Sequence, residues 1–203
     1  MDIIITFIIL IFSAIVHEVS HGLVAEKLGD DTAREAGRIT LNPIPHIDPF
    51  GSILLPLLLL VAHSPIIFGA AKPVPVDFNR LRNPKSGMAL VSLAGPAANF
   101  LLAILFVIPI KLGLANNISG PVLLQAILIN LVLGTFNLIP IPPLDGSKIL
   151  VSLAPESWMH RILSWERYGF VLVLLFLYLG LLNLILFPVI RLFSNIFGLN
   201  FGF

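Results

Sequence analysis

From Ile3 to Val16 the chain runs without a charged side chain, and His17 and Glu18 follow at once. A stretch that long and that apolar closes off most folds. In lipid, every backbone N–H and C=O must be satisfied internally, which leaves a helix or a closed barrel. An unbroken apolar run lacks the in–out alternation of a barrel strand. A helix rising about 1.5 Å per residue needs about 20 residues to cross ~30 Å of hydrocarbon, and Ile3 to Leu23 supplies them. Further apolar runs fall at about 50–71, 87–110, 121–139 and 168–190. Only 11% of the 203 residues are charged, against about 25% in soluble globular proteins. The chain therefore reads as an all-α polytopic membrane protein, a single domain over 1–203. About four full transmembrane helices are expected, plus one re-entrant or proline-broken segment at 50–71, where Pro56 and Pro65 interrupt the run. A net charge of +1 gives no case for a nucleic-acid partner, and the bilayer is the partner that composition demands. The N-terminus opens Met1-Asp2, with no basic stretch and no small-residue cleavage site, so the first run is expected to be retained rather than removed as a signal.

The chemistry sits at the end of that first run. His17-Glu18-Val19-Ser20-His21 places two imidazoles four residues apart, one above the other on one helix face, which suits two ring nitrogens binding one Zn²⁺. Glu18 is adjacent, where it can take a proton from water at the metal. Ionisable side chains inside a membrane are costly and read as functional. The chain has no cysteine, so a third ligand must come from His, Asp or Glu. Asp145 is the best candidate. It follows the fourth apolar run, where Pro140, Pro142 and Pro143 break the helix and free carbonyls that only a protein-lined, wet cavity tolerates.

Topology supports this choice. His17 and His21 lie in the C-terminal half of the first run, and Asp145 lies at the C-terminal end of the fourth. If the second, third and fourth runs each crossed the membrane, those ends would lie on opposite sides. One run must therefore fail to cross, and the proline-broken 50–71 is the obvious one. Basic residues choose the same arrangement. With 50–71 re-entrant and the N-terminus outside, one face receives Lys27, Arg34, Arg38, Lys72, Arg80, Arg82, Lys85, Lys148, Arg161 and Arg167, and the other only Lys111 and Arg191. That excess marks the cytoplasmic side, so the site is expected to open toward the cytoplasmic face.

These motifs resemble the site-2 protease family of intramembrane zinc metalloproteases. His17-Glu18-Val19-Ser20-His21 fits the family's HExxH, and Asn137-x-x-Pro140-x-x-Pro143-Leu144-Asp145-Gly146 fits its NxxPxxPLDG pattern without a gap. Gly95-Pro96-Ala97-Ala98-Asn99 is similar to the family's glycine-proline-asparagine stretch, and Ala71-Lys72-Pro73-Val74-Pro75-Val76 to the connector before it. The resemblance implies one Zn²⁺ per chain held by His17, His21 and Asp145, with Glu18 as general base and Asn137 holding the substrate backbone. It also implies a partner: the transmembrane segment of a single-span membrane protein, cut near the cytoplasmic face of a prokaryotic cell membrane after another protease has trimmed it. The turn at 111–120 is too short for a PDZ domain, and the tail too short for a nucleotide-binding regulatory pair. Ser147-Lys148 stands where many members have glycine and arginine. The stretch Leu41 to Pro49 resembles the compact prokaryotic branch.

Other polar residues read less sharply. His46 could support the site or line a water entry, or be a loop histidine at the membrane surface; Asp48 could do the same, or cap the next element. Asn99 either faces the active cavity or bonds a neighbouring helix. His63 and His160 read as interfacial histidines, and Trp158 and Trp165 as interface anchors. Two other classes of function fit parts of the pattern. A divalent-metal transporter would also carry His, Glu and Asp in its spans, but no inverted repeat and no second polar set completes a path. An inactive relative that only binds membrane helices would not need Glu18.

Overall fold

The structure is a computed structural model that describes residues 3–54, 58, 61, 71–155 and 166–201. Most of the run at 50–71, together with His63, Trp158, His160 and Trp165, lies outside the described residues. The described residues are helical and contain no strand, as the apolar runs require. The helices are α1 (Ile3–Lys27), α2 (Thr32–Glu35), α3 (Pro84–Lys111), α4 (Ser119–Asn137), α5 (Asp145–Leu153), α6 (Glu166–Tyr178) and α7 (Asn183–Phe197). A short 3₁₀ turn at Ile44–His46 and a π-helical turn at Pro49–Leu54 lie between α2 and α3.

Three of these helices, α1, α3 and α4, are long and apolar enough to cross a membrane. The outer faces of α1 and α3 are apolar: Ile4 and Ile8 on α1 and Leu101 on α3 are all exposed. Exposed apolar surface on that scale suits lipid rather than water. The single span read over 168–190 is instead two helices. Gly180 sits at φ 68 and the Leu181 amide reaches back to the Phe176 carbonyl at 3.0 Å, the hydrogen bond that closes a helix in a Schellman motif. At about 20 Å, α7 is shorter than the hydrocarbon core.

At the centre of the bundle, α3 touches α1, α4 and α5. In lipid there is little transfer gain from helix association, so close approach through small residues matters more. The spacing of buried residues on α3 shows this: Gly87, Val91, Gly95, Asn99 and Ala103 recur every fourth residue along one face. On α4, Gly134 lets Pro96 and Phe100 of α3 close in; a Cβ there would stand 3.1 Å from the Phe100 ring. Further along, Ala103, Val107, Ile127, Leu131, Ile190 and Phe193 form the main apolar cluster between α3, α4 and α7.

The end of α1 and the start of α3 lie at the same end of the bundle. The Arg82 amide donates to the Leu28 carbonyl at 3.0 Å, and the Asp77 amide to Asp30 Oδ2 at 2.8 Å. The chain therefore leaves α1 and enters α3 at one end of the bundle. Asp30 is the fastener here. Burial would push its carboxyl up, but bonds from the Thr32 hydroxyl and amide and from the Asp77 amide, with Arg80 nearby, hold it below the ordinary carboxylate range.

Candidate metal centre

The four-residue spacing read from the sequence extends one step further back. Ser13, His17, His21 and Ala25 form one buried stripe down α1, turned toward α3. Asp145 comes from the first turn of α5. It is delivered there by the proline-rich turn after α4, which packs through Ile139 and Leu144 against Leu182. A side chain at Gly146 would run into the Leu138 and Ile139 backbone, so the residue after Asp145 has to be small.

The three expected ligands meet. His17 Nε2 and His21 Nε2 lie 3.1 and 3.2 Å from the same oxygen, Asp145 Oδ2, and the three residues are each less than a tenth exposed. Atoms bound at about 2.0–2.2 Å to a tetrahedral zinc stand about 3.3–3.5 Å apart, close to what is seen. Among the described residues this is the group of His, Asp and Glu side chains able to hold a metal ion.

Hydrogen bonding says what these atoms are for. His21 Nδ1 lies 2.6 Å from the Val91 carbonyl, which can only accept, so Nδ1 carries the proton and Nε2 presents a lone pair. His17 Nδ1 lies 2.6 Å from Asn99 Oδ1 and donates to it. Two lone pairs and a carboxylate oxygen thus converge, an arrangement that calls for a cation among them. Space for one exists. A Cβ built on Gly95 would stand 2.5 Å from both Nε2 atoms, so the missing side chain leaves open the volume next to the ring nitrogens. The donor set fits Zn²⁺, which takes His nitrogen and carboxylate oxygen and leaves a fourth position open in catalytic sites. The Lys148 ammonium lies 3.8 Å from the other Asp145 oxygen, Oδ1.

Glu18 is held by the extended connector after 50–71. The Val74 amide donates to Glu18 Oε2 at 2.8 Å. Arg38, nearly buried, fixes the connector by donating from Nη2 to the Lys72 and Pro73 carbonyls at 2.7 and 3.3 Å. His46 is not drawn to the metal group: its Nε2 donates to the Thr40 carbonyl at 2.9 Å, and its own carbonyl accepts from the Lys72 amide. Asp48 accepts from the Gly51 amide at 2.5 Å, the cap that is one of its two readings. Asn137 Nδ2 donates one turn back to the Leu133 carbonyl at 2.9 Å.

Comparison with known proteins agrees with this geometry. A Bacillus subtilis (strain 168) protein named "Putative zinc metalloprotease YwhC" is 40% identical over 94% of this chain and 91% of its own length. This chain belongs to peptidase family M50. The family model itself, described as Peptidase family M50, matches residues 110–181, which include Asn137 and Asp145. A Mycolicibacterium smegmatis protein named "Putative zinc metalloprotease Rip2" is 30% identical over 94% of this chain and 73% of its own length. The zinc metalloprotease MJ0392 of Methanocaldococcus jannaschii is 29% identical over 88% of this chain, which spans 43% of that longer protein. No solved structure gives a match. The family is the site-2 protease family whose motifs the chain carries, so the chain is a membrane metalloprotease.

Several residues of this M50 centre escape a reading of the sequence. Gly95 reads there only as the first residue of the glycine-proline-asparagine stretch, not as the wall facing both imidazoles. Ser13 and Asn130 support the Asn99–His17 pair, and Arg38 reads only as one positive charge among ten. Asn130 did leave a signal, an amide in the middle of an apolar span, where polar groups are seldom idle.

Proposed function

We propose that this chain is a zinc-dependent intramembrane endopeptidase of the site-2 type, which hydrolyses a peptide bond within or near the transmembrane helix of a membrane-protein substrate in regulated intramembrane proteolysis. The observation that carries the reading is the convergence of His17 Nε2, His21 Nε2 and Asp145 Oδ2 beside Glu18, inside a helical bundle with lipid-facing walls. His17, His21 and Asp145 would hold the ion. Bound there, zinc supplies a Lewis acid that polarises a carbonyl and makes water acidic enough to ionise near neutral pH.

The rest falls to the chain's own side chains. Glu18 accepts the proton of the attacking water as its oxygen adds to the scissile carbonyl carbon. It then passes that proton to the amide nitrogen as the C–N bond breaks. The bond from the Val74 amide orients the carboxylate by Oε2. Asn137, at the exit of α4, is assigned to the substrate backbone. An intact substrate helix hides its peptide bonds in its own hydrogen-bond ladder, so a short stretch must unwind before it is cut. The substrate is taken to be a single-span protein already trimmed by another protease. The N-terminus is placed outside a prokaryotic cell membrane and the site near its cytoplasmic face, on the distribution of basic residues.

The test is co-expression with single-span proteins, comparing the wild type with Glu18→Ala and mapping the fragments. Glu18→Ala is expected to bind zinc and to leave the substrate whole. Cutting at the normal rate by that variant would remove Glu18 from the mechanism. A protein that moved divalent metal into proteoliposomes and cut nothing would overturn the whole reading.

A further inference from the structure

A chain of buried amides runs from the metal centre into the middle of the bundle. Asn99 and Asn130 are both fully buried, as is Ser13. One end of the Asn99 amide faces His17 Nδ1 at 2.6 Å; the other faces the Ser13 carbonyl at 3.3 Å and the Asn130 amide at 2.9 Å. The far end of Asn130 faces the Ala126 carbonyl and the Ser13 hydroxyl, each at 2.9 Å.

The direction of every bond in this chain follows from its anchors. A backbone carbonyl only accepts, so the Asn130 atom beside Ala126 must be the NH₂ group. The oxygen of Asn130 then faces Asn99 and must receive its NH₂. The oxygen of Asn99 is thereby turned to His17, and it can only accept, so His17 must donate from Nδ1. The same Asn99 NH₂ group makes a longer, weaker contact with the Ser13 carbonyl at 3.3 Å. A ring protonated at Nδ1 offers its lone pair at Nε2, the atom beside Asp145 Oδ2.

We propose that Asn130 is a positioning residue for the metal centre: through Asn99 it fixes the tautomer and ring orientation of His17. This rests on the reading of His17 as a metal ligand. The two histidines are thus held by different means. His21 is set by one backbone carbonyl of α3, Val91, whereas His17 is set at second hand by α4 through a side-chain amide on α3. A merely structural Asn130 would tie α3 to α4 and have no influence on the ring.

The discriminating experiment uses full-length protein in detergent and Asn130→Leu, which replaces the amide by an apolar side chain suited to the span. Two readouts are taken: zinc affinity by chelator competition, and the ring ¹⁵N–H spectrum of the zinc-loaded, ¹⁵N-histidine-labelled protein. The expected result is a fall in zinc affinity of about tenfold, in the range seen when the outer partner of a ligand is removed. The Nδ1–H signal of His17 should shift or be lost to exchange while that of His21 stays in place. Ser13→Ala keeps the Ala126 anchor and should change affinity less than Asn130→Leu does. If Asn130→Leu does not fold, Asn130→Ala is read in the same way. Wild-type zinc affinity and an unchanged His17 signal in the variant, with or without a lower Tm, would overturn the proposal. Failure of the underlying reading looks different: His17→Ala would then bind zinc as well as the wild type.

Discussion

Gly95→Ala adds a single methyl group, and the structure says where it goes. The new Cβ would stand 2.5 Å from Nε2 of both His17 and His21 and 2.6 Å from His17 Cε1. Carbon and nitrogen not bonded to each other settle at about 3.5 Å, so each ring would have to retreat by about 1 Å. Metal–ligand distances tolerate about 0.2 Å, and two of the three ligands would be displaced together. Loss of one outer-shell partner already costs 10–100-fold in affinity, so the direct displacement of two ligands is expected to cost at least about 100-fold, or ~2.8 kcal/mol. The same substitution favours the helix, since alanine exceeds glycine by about 1 kcal/mol in helix propensity. Stability and metal binding should therefore part company. In detergent with a chelator present, the Tm of Gly95→Ala should not fall as the metal affinity does, while zinc per chain at a fixed free-zinc concentration drops toward zero and substrate cleavage is lost with it. A variant that holds one zinc per chain with an affinity within about threefold of wild type would refute the placement of the ion beside Gly95.

Two other perturbations address the frame around Glu18. Arg38→Gln removes charge-assisted bonds to the Lys72 and Pro73 carbonyls, each worth about 1.5–3 kcal/mol. With the connector slack, kcat should fall while zinc content stays at one per chain; an unchanged kcat in steady-state cleavage assays would make Arg38 a purely structural residue. Asp30→Asn tests the clasp between α1 and α3. The folded carboxyl titrates below its unfolded value of about 3.9, so its contribution is complete above that pH and is lost as pH falls through the folded pKa. The Tm of wild type should exceed that of the variant near neutral pH, with the gap closing below about pH 4; a gap independent of pH would assign the effect to packing rather than charge.

The legible part of this protein follows one rule, that helical spacing puts residues four apart on one face. That rule yields the His17–His21 pair, and the proline-broken exit before Asp145 marks the third ligand. Parity of the spans, with the one-sided distribution of basic residues, requires both to be at one end of the bundle, and the bonds joining Leu28 to Arg82 and Asp30 to Asp77 agree. The break at Gly180 is harder to see, because an apolar run looks the same whether it is crossed by one helix or by two, and only a left-handed backbone residue separates them.

What the sequence determined by itself, then, is a membrane-embedded helical bundle and the three side chains, His17, His21 and Asp145, that converge inside it, because hydrophobic length and helical period are local properties of the chain. Which helix face meets which neighbour is not local. Only the packing of α3 between α1 and α4 decided that Gly95 opens the space beside the imidazoles and that Asn130 looks past Asn99 to His17, and only the course of the connector decided that the Val74 amide fastens Glu18. Each of those contacts joins residues far apart in sequence, and their partnership is fixed by how closely small residues let the helices approach.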